Sequence, residues 1–156
     1  MSRIDPNTDA VTATIEFPFI ESVGTLALAA GIESLWVGHT NHNEIWRVDP
    51  ATNEITDTVT LGETDAIDCL VFAHGSLWAT VFDGEKIGEP GVLETSRLLR
   101  VDPETGDIVT QFQTDQDALF TCLAAAPGAV WLATTVAETQ RGVCGGLLAP
   151  LVGAIG

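Results

Sequence analysis

Residues 47–53 read Arg-Val-Asp-Pro-Ala-Thr-Asn, and nearly the same heptapeptide occurs at two other places in the chain. Residues 3–9 read Arg-Ile-Asp-Pro-Asn-Thr-Asp and residues 100–106 read Arg-Val-Asp-Pro-Glu-Thr-Gly, so the intervals are 44 and 53. An aspartate before a proline opens a turn, and Asp, Asn or Gly at the final position tolerates a left-handed backbone. The heptapeptide therefore predicts a hairpin turn in each of three repeats.

A second motif has a similar period and is out of phase with the first. Trp36, Trp78 and Trp131 stand at intervals of 42 and 53, each a few residues after a glycine. Apolar and polar residues alternate after the predicted turns, as they do in half-buried strands. Four short antiparallel strands in roughly 40 to 50 residues are typical of a β-propeller blade. We therefore predict an all-β fold of four-stranded antiparallel propeller blades.

The repeats predict how the chain is divided. Propeller repeats are expected over residues 1–136, followed by an irregular glycine-rich apolar tail without strands over 137–156. Within the repeats we expect a half blade, two blades and a second half blade: 3–18, 24–61, 68–113 and 121–135. These amount to about three blades, fewer than the four to eight that close a ring. We expect a partial ring, completed by the missing blades of a longer chain or by a second copy of this chain.

Three residue types mark structural positions of the repeat. The aspartates of the heptapeptide are expected to hold the turns: Asp5, Asp49 and Asp102. The tryptophans are expected to mark one strand of each blade: Trp36, Trp78 and Trp131. The arginines account for three of only six basic residues, and we expect them to pair with carboxylates across the blade: Arg3, Arg47 and Arg100.

Residues 47–62, RVDPATNEITDTVTLG, and residues 75–81, GSLWATV, resemble two groups of known repeats. These are the YVTN/YncE-type repeats and the streptogramin-lyase-like (virginiamycin B lyase-like) propeller repeats. The resemblance implies a β-propeller, and its lyase branch implies catalysis by His and Glu with a divalent cation. The lyase blades typically read Trp-Phe-Thr-Glu where this chain has Trp36-Val37-Gly38-His39, which favours a binding module over an enzyme.

The loops of one propeller face are the expected ligand site, because these loops usually bind ligands in propellers. They are predicted at 40–43, 62–67, 83–95 and 114–120. His39 and His42 lie beside Glu44 in one tight connection, and imidazoles near a carboxylate can hold a divalent cation. Further candidate ligands are acidic residues near the next two loops: Asp68, Asp83 and Glu85. A polar hairpin loop and a solvated excursion are the structural alternatives.

The charge balance limits the partners and indicates the environment. The chain has 22 acidic and 6 basic side chains among 156 residues, for a net charge of -16. Such a field repels nucleic acid, and no apolar run reaches the roughly 18 to 20 residues of a membrane span. Carboxylates spread along the chain with a single lysine, Lys86, are similar to the proteins of halophiles, where salt screens their repulsion. With no signal peptide seen at the N-terminus, the expected compartment is the cytoplasm by default, and it stays open if the chain is an N-terminally truncated fragment.

Cysteine usage agrees with that compartment. Cys69, Cys122 and Cys144 form no C-x-x-C pair, so we expect reduced thiols rather than disulfides or a zinc site. Cys69 and Cys122 are expected on the innermost strands, in the core. The function predicted from the sequence is a non-enzymatic propeller-repeat module that binds a small ligand or a protein in a high-salt organism. The alternative is a divalent-metal-assisted lyase or hydrolase.

Overall fold

The computed structural model describes residues 1–18, 26–40, 42–83, 96–113, 118–136 and 151–155. The secondary structure of these residues is entirely β, and no helix among them is long and apolar enough to cross a membrane. The strands are β1 (Ser2–Asp5), β2 (Ala10–Thr14), β3 (Leu26–Ala30), β4 (Leu35–His39), β5 (Glu44–Asp49), β6 (Glu54–Thr60), β7 (Asp65–Ala73), β8 (Ser76–Asp83), β9 (Ser96–Val101), β10 (Ile108–Gln113), β11 (Ala118–Ala126), β12 (Ala129–Val136) and β13 (Leu151–Ile155).

The strands form antiparallel sheets in the order of a propeller blade. Two sheets are complete, with four strands each in the orders β3-β4-β5-β6 and β7-β8-β9-β10. They are preceded by the two-stranded hairpin β1-β2 and followed by the three-stranded sheet β11-β12-β13. The predicted fold class, all-β with about three four-stranded antiparallel blades, is confirmed. We call β3–β6 the first blade and β7–β10 the second blade.

The heptapeptide turn has the same construction at all three positions. The carboxylate of its aspartate accepts the backbone N–H two residues later, at 2.8, 2.7 and 2.8 Å: Asp5, Asp49 and Asp102. The residue four positions after the aspartate has a φ of 54°, 63° and 76°: Asp9, Asn53 and Gly106. These are residue types that adopt the left-handed region at low cost. At Asp5 the N–H of Asn7 lowers the pKa of the carboxyl.

A β-bulge follows each of these turns at an equivalent place. The strand pairing skips one residue opposite the step from Arg3 to Ile4, and again opposite the step from Arg47 to Val48. The skipped residue is Thr12 in the first hairpin and Thr56 in the first blade. Its hydroxyl donates to the carbonyl of the arginine at 3.4 and 3.3 Å, respectively. In the second blade the skipped residue is Val109, so the bulge recurs there without the hydroxyl contact. In the first two cases the bulge satisfies a polar side chain while it bends the outer strand.

Each complete blade has an arginine stacked on its tryptophan. Trp36 pairs with Arg47 across β4 and β5, and Trp78 pairs with Arg100 across β8 and β9. In both pairs the guanidinium carbon lies 5.5 Å from the centroid of the ring. The arginine Nε donates to a serine Oγ two residues before the tryptophan, at 2.7 Å in the first blade and 2.9 Å in the second: Ser34 and Ser76. Tryptophan, arginine and serine therefore form one repeated unit.

Successive blades pack face to face through apolar side chains. The largest buried cluster joins Trp36, Ile45 and Val59 of the first blade to Ile67 and Leu99 of the second. The inner strands are in contact in sequence, β3 with β7 and β7 with β11. The blades approach closely at Gly38, where an added Cβ would lie 2.7 Å from Cγ2 of Ile67. Glycine at this position allows the two blades to come together.

Three strand positions differ from the sequence predictions. β7 begins at Asp65 and β11 at Ala118, whereas the sequence placed residues 65–67 and 118–120 in loops. Both strands contain a bulge, at the step from Ile67 to Cys69 and from Phe120 to Cys122. The bulge reverses the alternation of apolar and polar residues, so the sequence pattern does not extend to the first residues of the strand. β13 lies in the tail that was predicted to contain no strand, and it pairs antiparallel with β12.

Candidate binding face

The connection between β4 and β5 brings the two predicted histidines together. His39 ends β4 and is buried, and the backbone N–H of His42 donates to its carbonyl at 3.1 Å. The two imidazole centroids are 5.1 Å apart with their planes tilted by 52°, and the His42 ring lies 6.2 Å from the ring of Trp46. Burial lowers the pKa of His39, and the charge on a protonated His42 lowers it further. His39 is therefore neutral at pH 7.

The start of the second blade contains an ion pair that the sequence did not reveal. Asp65 is buried and pairs with Arg97, whose guanidinium also reaches Oε1 of Gln111 at 3.5 Å. The N–H of Gly62 donates to the second carboxylate oxygen of Asp65 at 3.1 Å. Asp83 faces Asp65 across β7 and β8. Because Arg97 is outside the repeat and 32 residues away, only the folded sheet brings it to Asp65.

The other predicted ligands occupy separate positions. Glu44 is half-buried at the first position of β5, opposite Thr60, and Asp83 is the last residue of β8. Asp68 is the bulged residue of β7, and burial raises the pKa of its carboxyl. Glu85 lies outside the described residues. In the part of the chain that the structure describes, no three His, Cys, Asp or Glu side chains come together as metal ligands. The metal role of His39 and His42 stays a prediction.

Arg3 and Arg47 reach forward to the turn of the next blade, whereas the contacts of Arg100 are with Ser76 and Trp78 of its own blade. Arg3 Nη1 donates to the carbonyl of Pro50 at 2.8 Å and lies 3.3 Å from Oδ1 of Asn53, both in the turn of the first blade. Arg47 Nη2 is 3.9 Å from Glu104 Oε1 in the turn of the second blade. A groove of about 210 Å³ lies between these blades, lined in part by Trp36, Arg47 and Glu104.

The two described cysteines lie on neighbouring inner strands. Cys69 on β7 is half-buried against the apolar cluster between the second blade and β11, and Cys122 on β11 is exposed. Burial raises the pKa of the Cys69 thiol, and the nearby Cys122 thiol raises it further. Neither thiol is in a disulfide. Cys144 lies outside the described residues.

Comparison with known proteins supports the fold and goes no further. No protein-family description matches the sequence, and no curated protein matches it. The structure is similar to that of hydrazine synthase from Kuenenia stuttgartiensis, with a TM-score of 0.53 and 11% identity over 97% of this chain and 55% of that chain. The Cps50 (Swd1) β-propeller domain of Myceliophteria thermophila gives a TM-score of 0.44 and 12% identity over 96% of this chain. The chain spans 55% and 62% of the lengths of these two proteins.

Proposed function

We propose that this chain is a non-enzymatic β-propeller scaffold that binds a small ligand or a protein on the face formed by the described residues of the β4–β5 and β6–β7 connections. We call this surface the loop face. The observation that carries the proposal is the pair of histidines 5.1 Å apart, next to Trp46, at the edge of this face. An imidazole beside an aromatic ring offers both hydrogen bonding and apolar contact, the combination that ligand sites use.

The distribution of acidic side chains favours binding over metal-assisted catalysis. His39 and His42 supply two nitrogen ligands, but the described carboxylates nearest in sequence do not join them as a third. Asp65 is already engaged by Arg97. A catalytic zinc site uses three protein ligands plus an open position, so a lyase or hydrolase would need a ligand from outside the described residues.

Calorimetry and histidine-detected NMR separate the two functions. Mg²⁺, Mn²⁺ and Ca²⁺ are titrated in molar KCl, and a panel of small carboxylates, amino acids and sugars is then screened by NMR of the imidazole carbons. We expect no stoichiometric metal binding and a saturable shift of the His42 signals by at least one panel member. His74, in the turn between β7 and β8, is the internal control whose signals stay in place.

Two outcomes would overturn the proposal. Stoichiometric metal binding that disappears in the His39→Ala/His42→Ala variant would establish the metal site and favour the lyase or hydrolase. A panel that shifts His42 and His74 equally would show that the loop face has no specific site.

We also propose that the protein works at high salt. The net charge of -16 means that 16 carboxylates have no basic side chain to pair with, whatever the arrangement of the other six. Counter-ions at molar concentration shorten the Debye length to roughly 3 Å and remove most of their mutual repulsion.

A further inference from the structure

The sheet β11-β12-β13 has the same pairing register as the complete blades, but its third strand has no arginine opposite the tryptophan. In the complete blades the tryptophan pairs with an arginine of the third strand, Trp36 with Arg47 and Trp78 with Arg100. In the last sheet β13 takes the place of the third strand, and the residue opposite Trp131 is Ala154. Among the described residues, guanidinium groups lie over Trp36 and Trp78 but not over Trp131.

The tryptophans also differ in exposure, because Trp36 packs against the second blade and Trp78 against β11 and β12, whereas no described sheet follows Trp131. Trp36 is 1% exposed and Trp78 is 8% exposed, whereas Trp131 is 41% exposed although β13 is paired beside it. A large indole that the repeat buries twice is thus left in solvent once. Trp131 is thus the one described tryptophan of the repeat position that has apolar surface left for a further contact.

The N-terminal hairpin has the repeat arginine, Arg3, without a tryptophan beneath it. Arg3 and Ile4 hold the positions of Arg47 and Val48 in the heptapeptide, but no described tryptophan lies under Arg3. Val48 is 1% exposed, and the equivalent residue of the second blade, Val101, is 0% exposed, whereas Ile4 is 60% exposed. β1 and β2 therefore correspond to the third and fourth strands of a blade, and within the described residues no further strand pairs with β1.

We propose that β1 of a second copy of this chain binds the edge of β12, in the place that β13 takes here. Applying the register of the complete blades sets Arg3 of one copy opposite Trp131 of the other and Ile4 opposite Val130. The four strands β11, β12, β1 and β2 then form a blade from two chains. With two complete blades per chain and two shared blades, the pair closes as a ring of six, within the four to eight blades of known propellers.

β13 acts as the intramolecular competitor of this contact. It satisfies the backbone groups of β12 from Val130 to Thr134 but places an alanine opposite Trp131 and a glycine, Gly153, in the middle of the strand. Glycine weakens a strand interior, and alanine cannot stack on an indole. The strand of the second copy supplies the missing guanidinium and buries Ile4, so it is the stronger occupant at sufficient protein concentration.

The repeat also suggests a variant that strengthens the contact. Ser34 and Ser76 accept the arginine Nε in the complete blades, and the equivalent position before Trp131 is Ala129. Ala129→Ser would restore this acceptor to both shared blades. Since the contact occurs twice in the ring, we expect the dissociation constant of the dimer to fall several-fold.

The test is sedimentation equilibrium of the full chain in molar KCl. We expect twice the mass of the chain, a dissociation constant raised about ten-fold or more by Arg3→Ala, and one lowered by Ala129→Ser or by Gly153→Pro, which disables β13. Circular dichroism checks that each variant is folded. A full chain that remains monomeric, with Gly153→Pro also monomeric, would overturn the proposal, and such a result would point to missing blades of a longer chain.

A cross-link tests the register independently. With Cys69, Cys122 and Cys144 replaced by serine, an Arg3→Cys chain is mixed with a Trp131→Cys chain and oxidised by a small-molecule disulfide. We expect a covalent heterodimer, since directly opposed strand residues lie within disulfide reach. Val11→Cys is the matched control, because Val11 is as exposed as Ile4 but lies on β2. Equal cross-linking by Val11→Cys and Arg3→Cys would contradict the register.

Discussion

Arg47 lies directly opposite Trp36, with its guanidinium carbon 5.5 Å from the ring centroid and its Nε donating to Ser34 Oγ at 2.7 Å. The arginine is held by a ring below it and a hydroxyl beside it, so its partners within the first blade are not carboxylates. Arg47 thus joins two strands of the first blade and also approaches Glu104 in the turn of the second blade.

Replacement of Arg47 should therefore destabilise the protein even where salt screens charges. We expect Arg47→Ala to lower the free energy of unfolding by about 1 to 3 kcal/mol, from the loss of the stacked cation and the hydrogen bond. Arg47→Lys keeps the charge but not the planar donor, so it should recover only part of this loss. Ser34→Ala measures the hydrogen bond alone. Denaturant unfolding in molar KCl gives these values, and an Arg47→Lys variant equal to wild type would contradict the stacking account.

Two turn glycines form a matched pair for separating backbone strain from crowding. Gly75 and Gly106 have φ values of 71° and 76°, but only an added Cβ at Gly106 meets a neighbour, Cγ2 of Val59 at 3.3 Å. We expect Gly75→Ala to cost about 1 to 2 kcal/mol and Gly106→Ala to cost more. In a Val59→Ala background the two costs should become equal. Thermal or denaturant unfolding measures both, and an unchanged difference would show that Val59 is not responsible.

The contact between Gly38 and Ile67 determines how closely the first and second blades approach. Gly38→Ala places a methyl group 2.7 Å from Cγ2 of Ile67, and overpacking of this kind costs about 1 to 3 kcal/mol. The cost should fall when Ile67→Ala removes the opposing atoms. A double-mutant cycle of unfolding free energies tests this, and strict additivity of the two substitutions would contradict the close packing.

Burial of His39 gives a pH dependence of defined sign. Its pKa is lowered below the ordinary 6.5, so the unfolded chain binds a proton more readily than the folded chain. The contribution of His39 to stability is complete above pH 6.5 and is lost as the pH falls toward the lower folded-state pKa. Urea midpoints should thus decline on acidification more steeply in wild type than in His39→Gln. Parallel pH profiles for the two proteins would contradict the burial of this imidazole.

Asp68 makes the free energy of unfolding depend on pH in the opposite direction to His39. Burial raises its pKa above the ordinary 3.8, so the folded state holds the proton more firmly. Its contribution is complete below pH 3.8 and is lost as the pH rises through the folded-state value. Asp68→Asn should remove this slope and be more stable than wild type above that value. An Asp68→Asn variant with the wild-type pH profile would show that the carboxyl is solvated.

The excess of carboxylates makes stability dependent on salt. With a net charge of -16, we expect the thermal midpoint to rise between dilute buffer and molar KCl, because screening removes repulsion that only the compact state suffers strongly. Scanning calorimetry at both salt concentrations measures the rise. Sorbitol at matched osmolality is the control for non-ionic effects, and a midpoint independent of KCl would contradict the high-salt proposal.

The elements that sequence reasoning predicted are those specified locally. The turns of the heptapeptide follow from the side chains of Asp49 and Asn53 themselves, since the hydrogen bonds span two to four residues. Alternation then indicates the strands on either side. All-β blades could for this reason be predicted from one sequence.

Contacts between distant residues were outside the reach of the same reasoning. Asp65 and Arg97 pair with each other but belong to no repeated motif. The sequence predicted a loop over residues 62–67, whereas Asp65 is the first residue of β7. The bulge at Asp68 is the physical reason, because it shifts the alternation by one residue. The missing arginine opposite Trp131 became visible only when the register of β13 placed Ala154 there.

The forward reach of the arginines also has a consequence for synthesis on the ribosome. Arg3 binds the carbonyl of Pro50, and Arg47 approaches Glu104, so each partner emerges 47 or 57 residues after the arginine. At about 5 to 20 residues per second, an arginine waits roughly 2 to 11 s for its acceptor. During this interval the side of the sheet that faces the next blade has no partner to pack against. The contacts of Arg3 and Arg47 thus form only after the turn of the following blade has been synthesised.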